Sequence, residues 1–243
     1  MVQAFRGGEF PLHSAVRMHL LLLWDIDGTL IASGGAGMHA LQAALQAEFG
    51  VTGSLADIDF AGRTDGWIMR EVFRKFGLAP TPENFARFFA RYTAGLPAAL
   101  ANPQARVLPG VREILRAAAN HGGVAQGLLT GNMRHGARVK LAHHGLWEHF
   151  AFGAFGDDSE IRNELGPHAV RRATEHHGVN FASERVWIIG DTPHDIACGR
   201  AIGARTLAVA TGSSTVAQLQ VHQPTAVLPD LADTASVMAL LTG

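Results

Sequence analysis

The chain has 243 residues, of which 47% are apolar and 17% charged, so it can bury a substantial core and falls outside the disordered class. Its 20 basic residues nearly balance its 21 acidic ones and are scattered, so no electrostatic footprint points to a nucleic acid or an anionic membrane, and small molecules are the default ligands. The single cysteine, Cys198, has no thiol partner for an intramolecular disulfide or a thiolate metal site, which fits a reducing compartment.

In chain order, residues 1–17 show no clear period and contain Gly7, Gly8 and Pro11; residues 1–19 read as a loose N-terminal extension, or as the product of a start codon placed too early. The apolar run Leu20–Trp24 is too short to span a membrane, and Asp25 and Asp27 follow where a signal peptide needs more hydrophobic length, so a cytoplasmic location is expected. Leu20 to Ile26 reads as a strand buried on both faces of a parallel sheet. A Gly-rich turn from Ser33 to Gly37 leads into helical patterns at Met38–Phe49, Ile68–Phe76 and Glu83–Leu100, with Pro80 and Pro82 breaking the last two, and no strand signal interrupts roughly residues 35–105.

Pro109-Gly110 then opens a helix, and strands and helices alternate. Strands are expected at Val124–Leu129, weakly at Phe150–Phe155, at Val186–Ile189, Thr206–Ala210 and Ala226–Leu228. Helices are expected at Met133–His144, Pro167–His177, Asp195–Ile202, near Thr215–Leu219 and from Leu231 onward. Such alternation means an α/β fold with a parallel sheet between two layers of helices. The helical stretch between the first two strands is far longer than a crossover needs, so residues 33–106 are expected to be an inserted helical domain, with 20–32 and 107–243 forming the core domain.

Parallel sheets bind ligands at the carboxyl ends of their strands, and the polar residues collect there: Asp25 and Asp27 after the first strand, Thr130 after the second, and Asp191 with Asp195 after a later one. Carboxylates converging in one crevice repel one another unless a hard cation joins them, and magnesium suits few ligands with room for water and phosphate.

Three motifs carry a family resemblance. Asp25-Ile26-Asp27-Gly28-Thr29, Leu128-Leu129-Thr130 followed by Gly131-Asn132, and Gly190-Asp191-Thr192-Pro193-His194-Asp195 occur in this order, each at a strand end. In these the chain resembles the haloacid dehalogenase-like hydrolases, in their phosphatase branch, from Leu20 to its end. The family's further motif is usually a lysine between the second and last of these. Of the only two lysines, Lys75 comes before that span and Lys140 lies well ahead of the Pro167 helix, beside which the lysine is expected, so Arg162, just before that helix, is expected to take the role, with Arg171 and Arg172 as competitors on the next helix.

The resemblance implies a Rossmann-like core with an all-helical cap, and a magnesium-dependent phosphatase acting through an aspartyl-phosphate. Asp25 would be the nucleophile and Asp27 the acid and then the base, protonated near neutral pH in a dry site beside another carboxylate. Asp25, the Asp27 backbone carbonyl and Asp191 would hold Mg2+. Asp195 would act behind them, and Thr130, Gly131 and Asn132 would bind the phosphate. The insert resembles the cap of phosphoglycolate-phosphatase-like members. Gly34, Gly35 and Gly37 there suit a hinge or a passive turn. In Gly62-Arg63-Thr64-Asp65-Gly66, Arg63 could meet an anionic substrate group, or Arg63 and Asp65 could simply cap the following helix.

The expected substrate is a small phosphorylated metabolite, phosphoglycolate-like or a sugar phosphate, with no nucleic acid, membrane or obligate protein partner evident. A phosphomutase would share Asp25 and Asp27, and a binding or regulatory protein would keep the fold without turnover. A dehalogenase generally lacks the second aspartate, and a phosphonatase needs a cap lysine, for which only Lys75 is available. The adjacent pairs His143-His144 and His176-His177 point to different helix faces, and Trp24, Cys198, Met38, Met69 and Met133 read as packing residues.

Overall fold

The computed structural model describes residues 19–243, so the expected N-terminal extension lies outside the described residues apart from His19. Strand β1 (Leu20–Trp24) is buried at every position because helices cover both faces of its sheet. The alternation of side chains divides it cleanly. Leu20, Leu22 and Trp24 pack with Val111, Ile114 and Leu241 on one side, while Leu21 and Leu23 pack with Leu165, Ala169 and Ala173 on the other.

After a short strand β2 (Ile31–Ser33) come three helices, α1 (Ala36–Phe49), α2 (Asp65–Lys75) and α3 (Pro82–Leu100), and then strand β3 (Ala105–Val107), which pairs antiparallel with β2. The remainder alternates: α4 (Val111–Asn120), β4 (Val124–Leu129), α5 (Arg134–His143), β5 (Gly153–Ala154), α6 (Leu165–His177), β6 (Val186–Gly190), α7 (Pro193–Ala201), β7 (Arg205–Val209), α8 (Val216–Val221), β8 (Ala226–Leu228) and α9 (Thr234–Thr242). The main sheet runs β5-β4-β1-β6-β7-β8 with all neighbours parallel. This is the α/β architecture the alternation predicts. The strand order reverses direction at β1, between β4 and β6, and in such sheets that switch opens a crevice at the carboxyl ends.

Helices α1–α3 enclose an apolar core of their own. Phe73 is fully buried at its centre, with ring centroids 5.3 Å from Phe49, 4.9 Å from Phe85 and 6.0 Å from Phe88. The antiparallel pair β2–β3 ties the two ends of this helical segment together, and the sequence gives no sign of it: Ile-Ala-Ser and Ala-Arg-Val are too short to establish a period. The weak strand expected over 150–155 shrinks to Gly153–Ala154 at the sheet edge. Helix α6 starts earlier than Pro167 suggests, because proline fits the first turn of a helix, where its missing N–H is not needed. Helix α7 starts at Pro193 behind a capping box, in which Thr192 and Asp195 satisfy each other's backbone amides.

Candidate active site

The bend after β1 carries Asp25 and Asp27 out of the sheet. Gly28 makes it possible: its φ of 81° is left-handed, and a Cβ there would come within 2.4 Å of the Asp191 carboxylate. The structure therefore brings the first and last motifs into contact, and the Thr29 hydroxyl donates to Asp191 Oδ1 at 3.2 Å.

Asp25, Asp191 and Asp195 are each buried, and one carboxylate oxygen from each lies within 4.8 Å of the others. Burial raises Asp25 to about 6, against the pull of Arg162 and with help from Asp195 and Asp27. Burial also raises Asp191 well above the usual carboxylate range, aided by its neighbours Asp195 and Asp25. Such a crowd of acidic groups is the donor set of a hard divalent cation, which would relieve the repulsion. The three are not equivalent. Both oxygens of Asp195 are already engaged, one by the amide and hydroxyl of Thr192 at 3.0 and 2.7 Å, the other by Arg162. Asp25 and Asp191 keep lone pairs to offer, so the residues fit a cation held by these two with Asp195 behind them.

Arg162 lies just ahead of α6. Its guanidinium, 6% exposed, bridges Asp25 at 3.1 Å and Asp195, and Nη1 donates to the Gly62 carbonyl at 3.2 Å. The competitors lie elsewhere: Arg172 is bound to Asp158 and to the Gly153 carbonyl, and Arg171 pairs with Glu175 one helical turn on. Cys198 is packed beneath Arg162, and burial pushes its thiol up to about 11, so it is no nucleophile.

One residue was missed. Lys140, on α5, reaches the site and places its ammonium 2.6 Å from Asp27 Oδ2 and 2.5 Å from Asn132 Oδ1. The side chain is only 5% exposed. Burial tends to push Asp27 up, but the Lys140 charge, with hydrogen bonds from Lys140, Asn132 and Ser33, outweighs that and holds its carboxyl below the usual range. This reverses the expectation of a protonated Asp27, because the strongest neighbour is a cation and not another carboxylate. The signal was present: Gly136, Ala137 and Leu141 form the buried stripe of α5, and Lys140 lies in it.

Asn132 lines the cavity as well, and its side-chain amide donates to Asp27 Oδ2 at 2.8 Å and Thr130 Oγ1 at 2.9 Å. Thr130 Oγ1 accepts from Asn132 twice, through the side-chain amide and the backbone N–H, which leaves its own proton free to donate. Gly131 meets the loop before α2 at close quarters: its carbonyl accepts from Asp65 N at 2.8 Å, and a Cβ on it would lie 2.1 Å from the Arg63 carbonyl oxygen.

That loop reaches across the crevice. The cap of α2 is Thr64, which accepts from Trp67 N and donates to the Glu160 carbonyl at 2.7 Å. Asp65 is half-buried and accepts from the Met133 amide at 2.8 Å; desolvation raises it to about 6. Neither Arg63 nor Asp65 serves as the cap. Arg63 lies 4.3 Å above the Trp67 ring, with its Nε buried and without a hydrogen-bond partner. A cavity of about 290 Å3 lies between the loop, helices α1–α3 and the carboxylates, and Arg63, Thr130, Lys140 and Arg162 all line it. Lys75 pairs with Asp57 and is not on its wall. The histidine pairs touch edge to face at 4.9 and 4.7 Å, and no histidine joins the carboxylate cluster among the described residues.

Known proteins share this framework. A hydrolase from Pseudomonas syringae superposes with a TM-score of 0.68 at 20% identity, covering 92% of this chain and 99% of its own. A structure from Haemophilus somnus, described as a predicted phosphoglycolate phosphatase, gives a TM-score of 0.69 at 18% identity, covering 90% of this chain and 98% of its own. At such identities the likeness speaks for the fold. The phosphoglycolate phosphatase of Rhodospirillum rubrum is 28% identical over 207 residues, 79% of this chain and 80% of that protein. Residues 22–200, well over half of the chain, match the family described as haloacid dehalogenase-like hydrolase, and the chain belongs to that family.

Proposed function

We propose that this hydrolase is a phosphatase that cleaves a small phosphate monoester through a phosphorylated Asp25, with Mg2+ as its ion. The carrying observation is the convergence of Asp25, Asp27, Thr130, Arg162 and Asp191 on one cavity, with the Asp25 carboxylate engaged only by Arg162 and the Ile26 amide. Magnesium would be held by Asp25, Asp191 and the Asp27 backbone carbonyl, and when bound it supplies positive charge to the transferring phosphoryl group.

The chain's own groups do the rest. Arg162, anchored by Asp195, aims the Asp25 carboxylate and offers a donor to a phosphoryl oxygen. The Thr130 hydroxyl donates to another. Asp25 attacks phosphorus, and Asp27 delivers a proton to the departing oxygen. A phosphate dianion seated beside Asp27 opposes Lys140 and raises that carboxyl toward the protonated form the step needs. With the alcohol gone, Asp27 takes a proton from water, which hydrolyses the acyl-phosphate and restores Asp25.

Helices α1–α3, residues 33–106, would act as the cap, with the Gly62–Asp65 loop closing the crevice and excluding water. A phosphoglycolate-like ester would find one cation, Arg63, for its carboxylate.

The test is direct. Purified protein is expected to release inorganic phosphate from p-nitrophenyl phosphate with Mg2+, and to lose that activity in EDTA and regain it on adding Mg2+ back. Absence of phosphate release under both conditions would overturn the reading. An isomerised hexose phosphate with little free phosphate would indicate a phosphomutase instead.

Arg162 makes a sharper case. Arg162→Gln is expected to lower kcat about 100-fold, since it removes both the aim of Asp25 and a donor to the phosphoryl group. It also leaves Asp25 and Asp195 buried without their counter-charge, a cost of about 3 kcal/mol in stability. Phosphate release and thermal unfolding measure the two effects separately, and unchanged kcat would refute the assignment.

A further inference from the structure

We propose that the leaving group of the ester is predominantly apolar, an alcohol with a compact aliphatic or aromatic body, not a sugar; this deepens the phosphatase reading and rests on it. The argument comes from the wall of the cavity opposite the carboxylates. Three helices build it: Met38 and Leu41 from α1, Ile68 and Met69 from α2, Phe88 and Phe89 from α3. Leu41, Ile68, Met69 and Phe88 belong to the apolar core of the helical segment and show their remaining surface to the cavity.

The polar side chains on this wall are few and are held at the catalytic end. Ser33 hydrogen-bonds to Asp27. Asp65 accepts from the Met133 amide. Tyr92 lies against Lys140, close enough for a Cβ on Gly37 to sit 3.7 Å from its hydroxyl and 3.9 Å from the Lys140 ammonium. Arg63 alone remains, stacked on Trp67.

A sugar entering this chamber would exchange several hydrogen bonds with water for contact with methionine and phenylalanine, and each hydroxyl left unpaired would oppose binding. An apolar body gains from the same surface. Hydrolysis itself is unchanged by this choice: the phosphorus–oxygen bond to the alcohol breaks, a water oxygen ends on phosphorus, and the alcohol leaves with a proton.

The experiment compares alkyl esters whose leaving alcohols have similar acidity, so that intrinsic reactivity does not decide the outcome. Benzyl and cyclohexylmethyl phosphate are set against glucose 6-phosphate, glycerol 1-phosphate and 2-phosphoglycolate, reading kcat/KM for phosphate release with Mg2+. The apolar pair is expected to exceed each polar ester by at least about 10-fold. Equal or faster hydrolysis of a sugar or glycerol ester overturns the inference and leaves the phosphatase reading intact. A preference for 2-phosphoglycolate also overturns it and assigns the chamber's specificity to Arg63.

Binding supplies a readout that does not need turnover. Benzylphosphonate is expected to raise the melting temperature more than phosphonoacetate at equal concentration, and the reverse order overturns the proposal even in a chain that hydrolyses nothing.

Discussion

Asp25→Asn is expected to abolish phosphate release, by about 10^4-fold or more, without weakening the fold. The amide keeps the shape of the carboxylate but cannot form the acyl-phosphate. Stability should move the other way. Burial holds the Asp25 carboxyl at about 6, above its ordinary value, so the ionised form is disfavoured in the folded protein at neutral pH. A raised carboxyl costs stability in full above its folded value, and the cost fades as pH falls from about 6 toward the ordinary value of 3.8. The neutral amide removes that cost, so in EDTA at pH 7.5 the variant's melting temperature should equal the parent's or exceed it by about 2–4 °C. The difference should close near pH 4, as that ordinary value is approached. Scanning calorimetry at the two pH values, with phosphate release alongside, checks both halves. Retained turnover would show that Asp25 is not the nucleophile, and a large fall in melting temperature would show that its charge is needed to hold Arg162.

Loss of a catalytic group that stabilises the protein is what a functional site predicts, because three buried carboxylates gathered at one point serve no packing purpose. The sequence made this gathering legible for a physical reason. Asp25, Thr130 and Asp191 each follow an apolar run, and a run buried on both faces can only be a central strand of a parallel sheet. Central strands share one carboxyl edge, so residues more than 100 positions apart are brought together by topology alone. Arg162 was suggested only by the family resemblance, which implies a cation just ahead of the helix that precedes β6.

What escaped notice depended on faces rather than on ends. Whether Lys140 points inward is decided by the rotation of α5, and its stripe of Gly136, Ala137 and Leu141 is narrow enough to miss. The cavity wall draws pairs of residues from three helices, whose mutual packing no single period records. The β2–β3 pair was invisible because each partner has only three residues and acquires its meaning from the other, more than 70 positions away. Local pattern shows where a strand delivers its carboxylates. The surface that α1–α3 turn toward them follows from tertiary packing.

Lys140→Met is the variant in which that packing becomes measurable. The substitution keeps length and apolar character in a site that is 5% exposed, so no cavity is created, while the charge between Asp27 and Asn132 is lost. Removing one member of a buried ion pair costs about 3–5 kcal/mol, and the low end applies because the Asp27 side chain remains about a third exposed toward the cavity. Asp27 is held below the usual carboxylate range, so its contribution to stability is complete at neutral pH and lost as pH falls through that depressed value. The deficit is therefore measured in full at pH 7 by chemical denaturation. Activity should fall about 100-fold in kcat with little change in KM, because Asp27 loses one of the donors that fix its oxygen while Thr130 and Arg162, the proposed phosphate ligands, stay in place. Lys140→Arg is the control: it restores charge but not the compact ammonium that fits between two oxygens 2.5 and 2.6 Å away, so it should recover stability more than turnover. A Lys140→Met protein with the parent's kcat would reduce this residue to a structural counter-ion and leave Asn132 and Ser33 as the groups that orient Asp27.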